Sequence, residues 1–149
     1  MKALLLFPVI FLALISTGQN PLKLCASTFD KYLTENYSLE KVKSNVAQSY
    51  SFIKENDTEA KYRDDSKSWE ALIYIQYDKT TKKVKEIQFT APSNRAYDYL
   101  DELEKLGYTY KGAIGNVDVY EHKTKKLGAK LLPGDLISPG LVLVRIYRL

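Results

Sequence analysis

The sequence predicts an α+β fold: a mainly antiparallel sheet of five to six strands with about three helices packed on one face. Three observations carry this expectation. Alternating apolar segments are joined by short polar turns, at Asp78-Lys79-Thr80-Thr81-Lys82-Lys83 and at Gly115-Asn116, the pattern of hairpins rather than of parallel crossovers. Apolar residues at helical spacing occur near the start of the chain and again between the two hairpins. The chain has 149 residues, 45% hydrophobic and 27% charged, which suits one domain built round one core and excludes disordered, collagenous and multi-span membrane classes.

The first eighteen residues read as a signal peptide. Lys2 supplies a positive start, Ala3 to Ile15 is an apolar run interrupted only by Pro8, and Ser16-Thr17-Gly18 places small residues where cleavage after Gly18 needs them. The run is short against the roughly 20 residues of a spanning helix, so no stable membrane span is expected after cleavage. Residues 19–149 would then form a single exported domain, periplasmic or secreted. Its net charge would be +3, the formal +4 less Lys2. Cys25 follows too polar an approach, Pro21-Leu22-Lys23-Leu24, for the lipid-carrying cysteine of a bacterial lipoprotein, and is expected as a small residue buried at the domain's start.

The elements follow in order. Ser27 or Thr28 is placed to cap a helix carrying Phe29, Tyr32 and Leu33, and Asn36-Tyr37 breaks it. Ser38 opens a second helix with Leu39, Val42 and Val46 as its stripe. Tyr50 to Ile53 is a short strand. Residues 55–68 are nearly all polar and read as a solvated connection, with room for one short element around Tyr62. Trp69 to Tyr77 and Val84 to Thr90 form the first hairpin. Ile73, Ile75 and Tyr77 share one face of it; Leu72 and Tyr74 share the other. Ser93 is the expected N-cap of the best helix, with Ala96, Tyr99, Leu100, Leu103 and Leu106 in one stripe and Gly107 as its stop. Tyr108 to Ile114 and Val117 to Lys123 form the second hairpin. A lysine-rich loop then leads to the last strand, Leu141 to Arg148.

Much chemistry is excluded by count. One Cys and one His leave no disulfide framework, no paired-histidine metal motif and no Cys-rich zinc site. Gly112-Ala113-Ile114-Gly115 is followed by a strand and cannot cradle phosphate as a helix-opening loop does. The acids around Glu55, Asp57, Glu59 and Asp64-Asp65 lack the ligand spacing of a calcium loop. No cofactor or metal is expected. One nucleophile and base remain, Cys25 and His122, far apart in sequence and each poorly placed; a carboxylate pair is the other enzymatic alternative.

Tyrosine is the surplus residue, 12 against 5 Phe and 1 Trp. Tyr74, Tyr77, Tyr108, Tyr110, Tyr120 and Tyr147 fall on expected strands, where tyrosine lines half-buried sheet faces and also serves recognition. Lysines gather in two loops, Lys79, Lys82, Lys83 and Lys85 and then Lys123, Lys125, Lys126 and Lys130. The expected binding residues are Tyr74, Tyr77, Tyr110, Tyr120, Tyr147, Lys83, Lys125 and Lys126. They describe a small exported, non-catalytic binding protein whose partner is another protein, of the inhibitor or immunity type in the cell envelope. Nucleic acid is not expected as a partner at this modest charge. A small-ligand carrier is the remaining alternative.

Overall fold

The computed structural model describes residues 25–133 and 139–149. The expected signal peptide, residues 1–18, lies outside the described residues, as does Gly134 of the lysine-rich loop. Three α-helices and eight strands are described: α1 (Ala26–Thr34), α2 (Leu39–Ala47), β1 (Ser51–Glu55), β2 (Glu59–Arg63), β3 (Leu72–Tyr77), β4 (Val84–Pro92), α3 (Ala96–Lys105), β5 (Tyr108–Ile114), β6 (Val117–His122), β7 (Leu127–Pro133) and β8 (Leu141–Arg148). The strands form one antiparallel sheet in the order β1-β2-β3-β4-β8-β7-β6-β5. Two meanders, β1 to β4 and β5 to β7, are thus joined through β8, which pairs with one on each side.

The architecture is α+β, with eight strands where five to six were expected. The two additions have a common physical cause. In β2 the inward residues are only Ala60 and Tyr62, both buried, and Glu59, Lys61 and Arg63 alternate with them. An alternation with so little apolar volume reads as polar connection. In β7 the buried Leu127, Ala129 and Leu131 are interleaved with Gly128 and Lys130 and closed by Pro133, residues that mark loops in a sequence. β7 is instead held by β6 on one side and β8 on the other.

Helix ends are set by contacts more than by local sequence. Neither Ser27 nor Thr28 caps α1; Cys25 occupies the N-cap, and its side chain accepts from none of the helix's backbone N–H groups. The first-turn N–H groups of Ala26 and Ser27 donate instead to the Glu102 carboxylate, each at 3.0 Å. At the other end Asn36 adopts φ 53°, its N–H reaching Leu33 O and that of Tyr37 reaching Tyr32 O. The rings of Tyr32 and Tyr37 lie 5.2 Å apart across this stop. The pattern is a Schellman ending, with asparagine tolerating the left-handed position. Ser38 does cap α2, accepting from Lys41 N. Ser93 does not cap α3: it begins a 3-10 turn, Ser93–Arg95, and its N–H is taken by Gly140 O.

One buried cluster unites the helices with one parity of the sheet. Phe29, Leu33, Val42, Val46, Tyr99 and Leu103 join Ile73, Ile75, Ile87, Phe89, Val144 and Ile146. Phe89 is the hinge of this packing, with its ring centroid 5.1 Å from Phe29 of α1 and 5.3 Å from Tyr99 of α3. Burial of each such side chain contributes roughly 1.5–3 kcal/mol. Tyr77, Tyr108 and Tyr120 belong to the same cluster.

Candidate binding face

The register decides which side chains stand together on the opposite parity. Two rows cross the sheet side by side. One runs Lys61, Tyr74, Gln88, Arg145, Lys130, Val119; the next runs Glu59, Gln76, Glu86, Tyr147, Gly128, Glu121. The first row is cationic and the second acidic, so the face is striped rather than basic.

Its two tyrosines are half-buried and each lies beside an ammonium group. Lys61 Nζ sits 5.0 Å from the Tyr74 ring centre and Lys130 Nζ sits 5.3 Å from that of Tyr147. Contacts of this kind add about 0.5–1 kcal/mol at exposed sites and hold the ring and the charge in one arrangement. Between the tyrosines, Arg145 engages Glu86 bidentately, Nε to Oε1 at 2.7 Å and Nη2 to Oε2 at 2.9 Å. That hydrogen-bonded carboxylate raises the Arg145 pKa. Burial, and then the nearby Glu121 carboxylate, raise that of Tyr147. The face is therefore held in place by cross-strand neighbours before any partner arrives.

The eight expected binding residues do not gather in one place. Tyr74 and Tyr147 share the striped face. Tyr77 is 3% exposed and Tyr120 is 5% exposed, both in the core, and this removes them from any recognition surface. The Tyr77 hydroxyl shares its one proton within the fold, between Glu55 Oε1 and Asn56 O, each 2.7 Å away. The cause of the error is parity: Tyr77 continues the Ile73-Ile75 face, and Tyr120 pairs with Ala129 on the side that meets the helices. Tyr110 is half-exposed on that same side, at the β5 edge, with its ring 5.3 Å from Tyr120.

Of the lysines, Lys83 is exposed at the β3–β4 turn and Lys126 at the β6–β7 turn, the latter with φ 37°. Lys125 is committed inward: its ammonium pairs at 2.8 Å with Asp30 of α1, a residue 3% exposed that also accepts from Tyr108 Oη at 2.8 Å. Lys79 pairs with Asp57, and Lys85 with Asp78 at 2.8 Å. Much of the lysine charge is thus spent on neighbouring acids.

Sequence reading missed Lys61, Gln88, Glu86, Arg145 and Lys130 as one surface. The signal was present in the alternation of β2 and β7, but without those strands the rows have no ends.

The candidate nucleophile and base have different hydrogen-bond partners among the described residues. Cys25 Sγ is bonded to Thr28 Oγ1 at 2.9 Å and accepts from Ser27 Oγ at 3.4 Å. His122 Nδ1 accepts from the backbone N–H groups of Thr124 and Lys125, at 3.2 and 3.3 Å, closing the turn after β6. Among the described residues, no group of three or more His, Cys, Asp or Glu side chains could hold a metal ion. No helix among them is long and apolar enough to cross a membrane.

No protein-family model, curated protein or solved structure matches this chain.

Proposed function

We propose that this is an exported, non-catalytic binding protein that engages another protein through the face bearing Tyr74 and Tyr147. The observation that carries the reading is the pair of lysine-backed tyrosines flanking the Arg145–Glu86 ion pair. Tyrosine and arginine are the side chains that most often dominate protein interfaces, and here both are fixed by neighbours, which lowers the entropy lost on binding. On this parity Tyr74, Gln88, Arg145, Lys130 and Tyr147 keep partial exposure, which supports their availability to a partner. The alternating cationic and acidic rows call for a partner with complementary rows, so charge acts here on register and specificity more than on attraction. Within this class, an inhibitor or immunity-type protein acting in the periplasm or outside the cell is the subtype that small size and expected export favour.

The test is site-specific photo-crosslinking in the native envelope, with the photoreactive residue at position 74, at position 147, or at position 97, where Tyr97 is exposed on α3. One stoichiometric protein trapped from 74 and 147 but not from 97, and released by Arg145→Ala, supports the reading. Trapping from 97 alone, or from none of the three, overturns it.

A further inference from the structure

At one end of the sheet, the α1–α2 connection, the β3–β4 turn and the last residues of β8 border an open cleft of about 560 Å³. Asn36, Ser38, Glu40, Lys82, Lys83 and Arg148 are among its walls. A backbone bridge between Ser38 and Lys83 ties two of those walls together.

The distribution of charge round this cleft is uneven in a telling way. Of the four lysines at the β3–β4 turn, Lys79 and Lys85 are paired with aspartates and stand outside the cleft. The two that line it, Lys82 and Lys83, form no ion pair within 4 Å among the described residues, although Lys82 is near enough to Glu55 to help lower that carboxyl's pKa. Lys82 is held in a left-handed conformation, φ 54°, with Nζ 5.2 Å from the Tyr77 ring centre. Arg148 is half-buried, and its described partners are all neutral oxygens: Nε donates to Val84 O at 3.0 Å, and Nη2 to Leu33 O at 2.6 Å and to Asn36 Oδ1 at 2.9 Å. Nη1 has no acceptor among the described residues. Burial lowers the Arg148 pKa by desolvating its charge. The acid in the wall, Glu40, is largely exposed and faces Lys43 at 3.7 Å.

We propose that this cleft binds an oxyanion, a carboxylate or phosphate group carried by a small molecule, with Arg148 as the fixed anchor and Lys82 and Lys83 closing over it. A guanidinium fixed through Nε and Nη2 keeps its remaining N–H groups oriented, so a bound oxyanion completes its hydrogen bonding with little further loss of freedom. The volume lies within the range of small-molecule sites, larger than a bare inorganic ion fills. The cleft shares no residue with the two rows of the tyrosine-bearing face.

The test is an amide NMR titration of the full chain with inorganic phosphate and with citrate, beside co-sedimentation with phosphatidylglycerol vesicles. Saturable shifts confined to Asn36, Lys82, Lys83 and Arg148 are expected, with citrate binding more tightly than phosphate. A Lys82→Gln/Lys83→Gln variant, which leaves the Arg148 anchor and the fold in place, is expected to weaken binding by about 10-fold. Vesicle binding lost in that variant, without free-anion shifts, would support the site with a lipid headgroup as the source of the oxyanion. Shifts spread evenly over all lysine turns, an unchanged affinity in the variant, or no binding in any arm would overturn the proposal.

Discussion

The Tyr147 ring lies across the backbone of Gly128, its cross-strand partner in the β7–β8 pair. A methyl group placed on Gly128 would sit 2.5 Å from Tyr147 Cζ and 2.6 Å from its hydroxyl oxygen. The glycine therefore exists in this strand as a seat for the ring, which compensates for the missing side chain at position 128.

Gly128→Ala tests that seat. The atoms that clash are the far end of a tyrosine, which can swing away, so the fold is expected to survive at a cost of about 1–3 kcal/mol. The ring is expected to leave its place beside Lys130. A urea unfolding midpoint and the Tyr147 ring NMR shifts report the two effects separately. If the reading of the face is right, crosslinking from position 147 falls in this variant while stability remains adequate. An unchanged ring environment would contradict the clash.

Glu102 of α3 caps α1 from 75 residues away in sequence. Besides the two backbone N–H groups, its Oε1 accepts from Ser27 Oγ at 2.7 Å. The carboxylate replaces a local N-cap and sits at the positive end of the helix dipole. Glu102→Ala is expected to cost about 1–2 kcal/mol in urea unfolding, and Ser27→Ala less, since it removes one bond of three. Equal effects of the two would mean that the backbone bonds contribute nothing.

Asp30 is a buried carboxylate that depends on two distant donors, Tyr108 on β5 and Lys125 in the β6–β7 turn. Removing one donor leaves the charge in place without its partner, which costs more than the pair ever contributed. Tyr108→Phe is expected to lose about 1–3 kcal/mol and Lys125→Met about 3 kcal/mol. Adding Asp30→Asn to Lys125→Met is expected to recover part of that loss. Additive effects in this double-mutant cycle would show that the two side chains act separately.

Tyr77 and Tyr120 give a signature at alkaline pH. Burial first, helped for Tyr77 by the Glu55 carboxylate and for Tyr120 by Asp118, pushes each up to about 12. A folded-state pKa above the unfolded value of about 10 means their contribution to stability is whole below pH 10 and declines as pH rises toward 12. Absorbance titration at 295 nm is expected to show a late tyrosinate step near pH 12 for these two rings. Tyr77→Phe removes its share of the decline. A single tyrosinate transition centred near pH 10 would contradict the burial of both rings.

Where apolar periodicity was strong, the sequence determined the element. The stripe of α3, the alternation of β3, β4 and β8, and the stops at Asn36 and Gly107 all follow from side-chain spacing and from residues that tolerate positive φ. Spacing also separated Leu143, Arg145 and Tyr147 from Val142, Val144 and Ile146. It left β2 as no more than a short element around Tyr62 and missed β7, strands whose inward residues are few and which are held by neighbours on both sides. Nor could it supply the insertion of β8 between the two meanders, a choice made by long-range pairing.

The candidate site depended on those same choices. A tyrosine count locates rings on strands, but only the register tells that Tyr74 and Tyr147 share one face while Tyr77 and Tyr120 turn inward. Only tertiary contact shows which lysines are already paired, as with Lys125 and Asp30, and which form no ion pair beside Arg148 among the described residues. Local sequence fixes the conformation a residue prefers; the identity of its neighbour across the sheet, which decides burial and charge, is a property of the folded chain.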